Sequence, residues 1–302
     1  MVVVKRLGSA FVTLLAISLV VFVLSRMSGD PRELMLSEYA TAEDYELLNE
    51  RLGLDKPYYA QYGVFLADAV RGDLGESIQA RQPVLTLILQ RLPGTLELAG
   101  SAFVAIILAS VLLGVATAVW RDTWVETAGN IVAVVGQSVP AFWLGIVLVY
   151  VFALTLGWLP MAGRGGWLYL VLPTLTIAAN SLAALTRLLS SAMTEAMDAE
   201  YVKFANVKSV PPWRVTMVHC LKNAILTPFT YAGIILGQLL TGSIIVETVF
   251  GWPGIGLLAL QAVQTRDYPL LQGVVLVFAI IYVGIALLVD VAYAYLDPRI
   301  RH

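Results

Sequence analysis

The residues of this chain that are able to do covalent or metal chemistry are few and badly placed for it. His219 and Cys220 are adjacent, yet the chain holds one cysteine and two histidines, too few for an internal disulfide or a histidine–cysteine ligand set. Both are expected to pack at a helix start. Gly242-Ser243 lies inside an apolar run, and no histidine or lysine in that run or its neighbours offers a base, which argues against an intramembrane serine hydrolase. The stretch Gly251-Trp252-Pro253-Gly254-Ile255-Gly256 is followed by no lysine and is not a phosphate loop. The sequence contains no HExxH, CxxC or GxSxG. What remains is a set of polar side chains embedded in apolar sequence: Gln137, Ser138, Asn180, Arg187, Gln238, Thr241, Ser243, Glu247 and Asp290. Such groups suit two roles, lining a polar path or hydrogen bonding between helices, the latter worth about 0.6 kcal/mol each. Arg187, Glu247 and Asp290 fall near the ends of apolar runs, where snorkelling to the interface is a third option. The chemistry on offer is that of guiding a solute. No catalytic residue, metal ligand or bound cofactor is expected in this chain.

The elements that must position these groups follow from composition. Of 302 residues, 59% are hydrophobic and 13% charged, and the mean hydropathy is +0.80. A soluble domain is roughly 45–50% apolar and about 25% charged, so the bilayer is the expected solvent. The net charge of −2 gives no reason to expect nucleic acid as a partner. A membrane core about 30 Å thick needs roughly 20 apolar residues in a helix. Stretches free of Asp, Glu, Lys and Arg then predict an all-α integral membrane protein of six transmembrane helices. Residues 1–25 carry the N-terminus and the first span, 26–95 form an ordered extracytoplasmic segment, and 96–302 form a five-helix core. The core spans are expected at about 97–120, 128–154 (interrupted at Pro140), 167–189, 225–246 and 271–293. The first span exceeds the usual 7–15-residue signal core and lacks a small-x-small cleavage site, so it is read as a retained helix. Between the last two spans, the segment 247–270 is broken by Gly251, Pro253, Gly254 and Gly256 and reads as a cap or re-entrant element.

Basic residues orient the chain. With the N-terminus inside, the short inner segments hold nine (Lys5, Arg6, Arg121, Lys203, Lys208, Arg214, Lys222, Arg299, Arg301) and the short outer ones two, Arg164 and Arg266, which places both termini in the cytoplasm. In the outer segment, Thr41 is a predicted cap for a helix from Ala42 to Gly53. A second helix is expected from Pro57 to Gly72, with Tyr58, Tyr62, Phe65, Leu66 and Ala69 on one face. This segment suits a docking surface for a delivery protein or a lid on its own membrane domain. The longest inner loop, 193–224, carries a predicted helix at 199–207 whose apolar Tyr201, Val202, Phe204 and Ala205 stand among charges, before Pro211-Pro212 break the chain. A short mixed-face helix clamped between spans suits docking into a groove on a soluble partner, with lipid contact as the alternative.

The chain resembles the membrane permease subunits of bacterial ABC importers in the dipeptide, oligopeptide and nickel uptake family. The likeness rests on Arg51-Leu-Gly-Leu-Asp-Lys-Pro57, Arg71-Gly-Asp-Leu-Gly75, Arg91-Leu-Pro-Gly-Thr-Leu-Glu-Leu-Ala99, Ser138-Val-Pro-Ala-Phe-Trp-Leu-Gly145 and Gly157-Trp-Leu-Pro160. It continues through Glu247-Thr-Val-Phe-Gly-Trp-Pro-Gly-Ile-Gly256, Arg266-Asp-Tyr-Pro269 and Leu296-Asp-Pro-Arg-Ile-Arg301. Their order and spacing cover nearly the whole length. The resemblance implies a type I importer permease fold and an assembly: a second homologous permease, two ATP-binding subunits that hold ATP and Mg, an extracytoplasmic solute-binding protein, and surrounding lipid. It also implies that Glu200, Tyr201, Val202, Ala205, Lys208 and Ser209 form the coupling element to an ATP-binding subunit. The family usually has glycine where this chain has Ser209; a positive φ there costs a non-glycine residue roughly 1 kcal/mol. Gln137, Ser138, Asn180, Gln238, Thr241 and Ser243 are the candidate translocation path. Glu247, Trp252, Pro253 and Gly254 are a candidate outer gate or, equally, a static plug. Alternating access would be driven by ATP from outside the chain. Short peptides are the cargo the resemblance favours, with nickel or a metal chelate as the alternative, and an autonomous secondary transporter as a more distant one.

Overall fold

The computed structural model describes residues 2–27, 41, 43, 46, 49 and 55–296, with the backbone alone for 2–5, 241–242, 290 and 292–296. Of the helix expected at 42–53 only Glu43, Glu46 and Asn49 are described, each helical; the motif residues 297–301 and the side chains of Thr241 and Asp290 lie outside the described residues. The described chain is helical throughout: α1 Val2–Met27, α2 Tyr58–Val70, α3 Val84–Val119, α4 Trp124–Ser138 and α5, which runs Ala141–Leu148 and continues as a π-helical stretch Val149–Thr155. Then come α6 Leu168–Asp198, α7 Glu200–Val207, α8 Pro212–Ala224 with a π-helical middle at Val215–Cys220, α9 Leu226–Val249, α10 Ile255–Gln264 and α11 Tyr268–Leu296.

Four helices are long and apolar enough to cross a membrane alone: α1, α3, α6 and α11. Two further spans are bent pairs, α4 with α5 at 107° and α8 with α9 at 56°, giving up to six. The expected third span is therefore not one helix. Val139, preceding Pro140, is extended at φ −89°, ψ 124°, because a following proline disfavours the α region and itself lacks an N–H to continue the ladder. Helix bounds also run past the predicted spans. α3 begins 13 residues before the expected start at 97, tolerating Pro93 inside it, and α6 carries on to Asp198.

The chain divides into two compact units, Met1–Gly94 with Pro253–Gly284 and Thr95–Trp252 with Ile285–His302. In the first, α2 packs on α1: the Ser18 and Tyr62 hydroxyls share a 2.8 Å hydrogen bond, and the Phe22, Tyr62 and Phe65 rings lie 5.4–6.4 Å apart. Tyr58, expected on that same face, is instead 70% exposed. The core of this unit joins Val84 and Ile88 of α3 to Ile255, Leu258, Ala259 and Ala262 of α10 and to Leu270 and Val274 of α11. α10 corrects the expectation that 247–270 lacks a regular helix. Its buried residues recur at i, i+3, i+4, i+7, and that apolar face outweighs the roughly 1 kcal/mol cost of Gly256 in the first turn. Buried Asp267 accepts hydrogen bonds from the Ser77 hydroxyl and from the Gln79 and Leu270 N–H groups, and so caps the start of α11.

In the second unit α4 lies against α6 at close range. A Cβ on Gly136 would sit 3.1 Å from the Ala179 carbonyl oxygen and 3.4 Å from the Ala183 methyl, so only a residue without one allows this approach unforced. One apolar cluster, Leu98, Leu172, Val246, Phe250 and Trp252, holds α3, α6 and α9 together. Another, built on Val115, Leu189, Met193, Val202, Val215 and Cys220, anchors α7 and α8 to α3 and α6.

Candidate functional site

Where Pro140 breaks the third span, the freed backbone opens a cavity of about 250 Å³. Gln137, Ser138, Pro140 and Leu144 line it from α4 and α5, and Thr176 and Asn180 from α6. Three of the six residues predicted for the path are thus brought together, although Asn180 is far from the other two in sequence. Ser138 donates to the Val134 carbonyl at 2.8 Å and Thr176 to the Leu172 carbonyl at 2.8 Å. Gln137 accepts a 3.3 Å hydrogen bond from Nη1 of Arg187. Arg187 does not sit at a helix end, because α6 continues 11 residues beyond it.

Of the other three path candidates, Gln238 and Ser243 separate. Gln238 is exposed, whereas Ser243 is buried and donates to the Leu240 carbonyl at 3.0 Å. Five residues along an α-helix turn the side chain by about 140°, so these two do not share a face. Ser243 is accounted for within its own helix.

At the other end of α9, Glu247 is fully buried and accepts a 2.8 Å hydrogen bond from the Thr95 hydroxyl. It packs inside the unit instead of snorkelling outward. Trp252 is buried too; its N–H donates to the Glu247 carbonyl at 2.8 Å, and Gly251, at φ 55°, supplies the left-handed turn between them. The Arg164 guanidinium stands 6.0 Å from the Trp252 ring centroid, within cation–π range, and bonds Glu97 through Nε at 2.7 Å and Nη2 at 2.6 Å. Pro253 is half-buried, and Gly254 is the extended residue that precedes α10.

On the loop between α6 and α9, α7 presents two unlike faces. Val202 is 7% exposed and sits in the apolar cluster, while Phe204 is 66% and Val207 83% exposed. Glu200, Tyr201, Lys208 and Ser209 are exposed and Ala205 half-buried, and Lys203 bonds Glu200 at 2.7 Å. The helix ends in a Schellman motif: the Ser209 N–H donates to the Asn206 carbonyl at 2.9 Å and the Val210 N–H to Ala205 at 3.1 Å. Ser209 accordingly has φ 53°, the conformation glycine adopts without strain. Immediately before α7, Asp198 receives Nη1 of Arg121 at 3.0 Å on both carboxylate oxygens. Cys220 is buried with its thiol 3.9 Å from the Ala196 carbonyl and packs in the apolar cluster.

Sequence reasoning missed Thr95, Glu97 and Arg164. Their partners lie 67 or more positions away, and no local spacing carries that signal.

A broken span with a half-open cavity that carries Gln137, Ser138 and Asn180 among apolar walls, beside long apolar helices, has the architecture of a membrane transport subunit. The profile of the binding-protein-dependent transport system inner membrane component matches residues 110–302, and that of the N-terminal membrane component of the same systems matches residues 1–99. The chain belongs to this family and is a multi-pass, inner-membrane permease subunit of an ABC importer. It is 39% identical over 301 residues to the glutathione transport system permease protein GsiC of Escherichia coli (strain CFT073), covering 99% of this chain and 98% of that one. The protein of the same name from Shigella dysenteriae is 38% identical over the same span. Among solved structures, the MetNI methionine ABC transporter shares the fold with a TM-score of 0.60 at 16% identity, over 70% of this chain and 96% of that one. An amino acid ABC transporter solved with histidines gives 0.56 at 15%, over 70% and 94%.

Proposed function

We propose that this chain forms one half of the conduit of an ATP-driven importer for short peptides. A second, similar permease supplies the other half, an extracytoplasmic binding protein delivers the cargo, and two ATP-binding subunits supply the energy. The observation that carries the conduit reading is the cavity at the Pro140 break, where Gln137, Ser138 and Asn180 offer hydrogen-bonding groups inside an apolar span. Backbone freed at membrane depth is tolerated where it lines protein or a water-filled space.

The cytoplasmic lever in this reading is α7. Val202 roots it in the unit's core, Tyr201 reaches from the surface to the buried Cys220 thiol, and Glu200, Phe204 and Val207 stand out toward a soluble partner. Ser209 keeps the turn that ends the lever despite the missing glycine. The buried Glu247–Trp252 turn serves as the external gate, and both termini lie in the cytoplasm. Coupling requires that ATP and delivered substrate each bind the outward- and inward-open states with different affinity.

Peptide cargo is favoured by the whole-length likeness to permeases named for glutathione, itself a tripeptide. The test is reconstitution of the complete assembly in proteoliposomes, with labelled glutathione, a labelled neutral tripeptide and nickel offered in turn with the cognate binding protein. ATP-dependent uptake of peptide is the expected result. Uptake of nickel without peptide would overturn the cargo, and uptake without ATP-binding subunits would overturn the conduit reading itself.

A further inference from the structure

The cavity meets a longer polar stripe on α6 that shares Asn180 with its lining. Along α6 the exposed residues Asn180, Arg187, Ser191, Glu195 and Asp198 recur at steps of seven, four, four and three, which is one helical face. The stripe runs 18 residues, roughly 27 Å at 1.5 Å per residue. It begins beside the Pro140 break, where Asn180 lines the cavity, and ends at the base of α7. Asn180 and Arg187 fall within the expected span at 167–189, where polar groups are expensive against lipid and belong on an aqueous path, while Ser191, Glu195 and Asp198 continue the face beyond it. Arg187 is the one cation in the sequence of α6. Its guanidinium is 3.3 Å from Gln137 Oε1, so it stands one hydrogen bond below the cavity wall. The acidic Glu195 and Asp198 follow beyond it, and Asp198 is already engaged by Arg121.

We propose that Arg187 is the charge-reading residue of this path and takes the carboxylate of an anionic peptide as the peptide passes the Pro140 break. A guanidinium presents paired donors to a carboxylate, a match that a neutral amide end of the same peptide does not provide. Gln137 holds the arginine aimed at the cavity between passages, and the acidic residues lower on the stripe discourage a carboxylate from settling further along. The assignment rests on the conduit reading above and adds to it the charge class of the cargo.

The test uses the complete reconstituted assembly with saturating binding protein, and compares uptake of glutathione with that of its glycine-amide analogue. Each variant's acid-to-amide ratio is divided by that of the unaltered assembly, which cancels the binding protein's own preference. Arg187→Gln is expected to raise KM for glutathione roughly tenfold or more and to lower the normalised ratio by a similar factor, while Arg187→Lys restores part of it. Gln137→Glu, which sets a competing carboxylate against the guanidinium without removing it, is expected to lower the ratio in the same direction. An unchanged ratio in both Arg187→Gln and Gln137→Glu overturns the proposal. If Arg187→Gln loses its permease partner on purification while Gln137→Glu keeps the ratio, Arg187 is an interface residue and the proposal is again overturned. An unaltered assembly that imports no peptide at all removes the conduit's peptide reading as well, whereas unchanged ratios in an assembly that does import leave that reading standing.

Discussion

Thr95 donates its hydroxyl hydrogen to the fully buried carboxylate of Glu247 over 2.8 Å, tying the membrane-entry turn of α3 to the last turn of α9 across 152 positions of sequence. The same turn of α9 gives its Glu247 carbonyl to the Trp252 N–H, so one residue fixes both the helix end and the tryptophan that follows it. An acceptor at zero exposure cannot replace a lost donor with bulk water, so removing one costs part of its desolvation penalty.

Thr95→Val keeps the shape and removes the donor. The assembly is expected to lose about 1–3 kcal/mol of stability, read as a lowered thermal midpoint in detergent. Thr95→Ser, which keeps the hydroxyl, is expected to recover most of it.

Ser209 at φ 53° carries strain that glycine would not. Ser209→Gly is expected to stabilise the end of α7 by about 0.5–1 kcal/mol, and Ser209→Val to weaken it by at least as much. Amide hydrogen exchange across Glu200–Val210 checks this, with a change of 1 kcal/mol read as about fivefold in opening.

Because Glu200 is exposed and Tyr201 is 39% exposed on a helix rooted by Val202, Glu200→Lys and Tyr201→Ala are expected to leave insertion intact. They should uncouple ATP hydrolysis from uptake, lowering transport per ATP by roughly tenfold. Native stimulation with native import in both variants would remove the coupling role.

Gln238 and Ser243 share a helix and differ in burial. Gln238→Leu is expected to alter transport more than assembly. Ser243→Ala, which removes a local bond to Leu240, is expected to change stability by no more than about 1 kcal/mol and to leave transport as it was.

Gly136→Leu would push α4 off the Ala179 carbonyl of α6. A loss of about 1–3 kcal/mol in stability should come with a fall in uptake, since the wedge acts on the wall of the cavity. Gly136→Ala, the smaller change, is expected to fall between the two.

The all-helical membrane class, the break at Pro140 and the short helix at 200–207 were legible from the residues. Each depends on local rules: hydropathy over about 20 positions, proline's missing N–H, and the alternation of charged and apolar residues along α7. The same local reading failed where length and context decide. The helices run on past the expected second and fourth spans, because a helix already nucleated continues through polar residues when its apolar face stays packed, as α6 does past Arg187 to Asp198. That reading denied 247–270 a helix because the glycines and Pro253 outweighed an apolar period that pays off only once Ile255, Leu258 and Ala262 have α3 and α11 to pack against.

The sequence by itself determined the solvent and the all-helical class, since those follow from composition and from periods of a few residues. Only the tertiary structure decided which polar groups meet. It gathered Gln137, Ser138 and Asn180 at one cavity, sent Gln238 and Ser243 to different faces, buried Glu247 beneath Thr95 and set Arg187 beside Gln137. Those partners lie on separate helices, and the packing that joins them (Gly136 against Ala179, Leu98 against Trp252) is a property of the whole fold, with no trace in any local window of the chain.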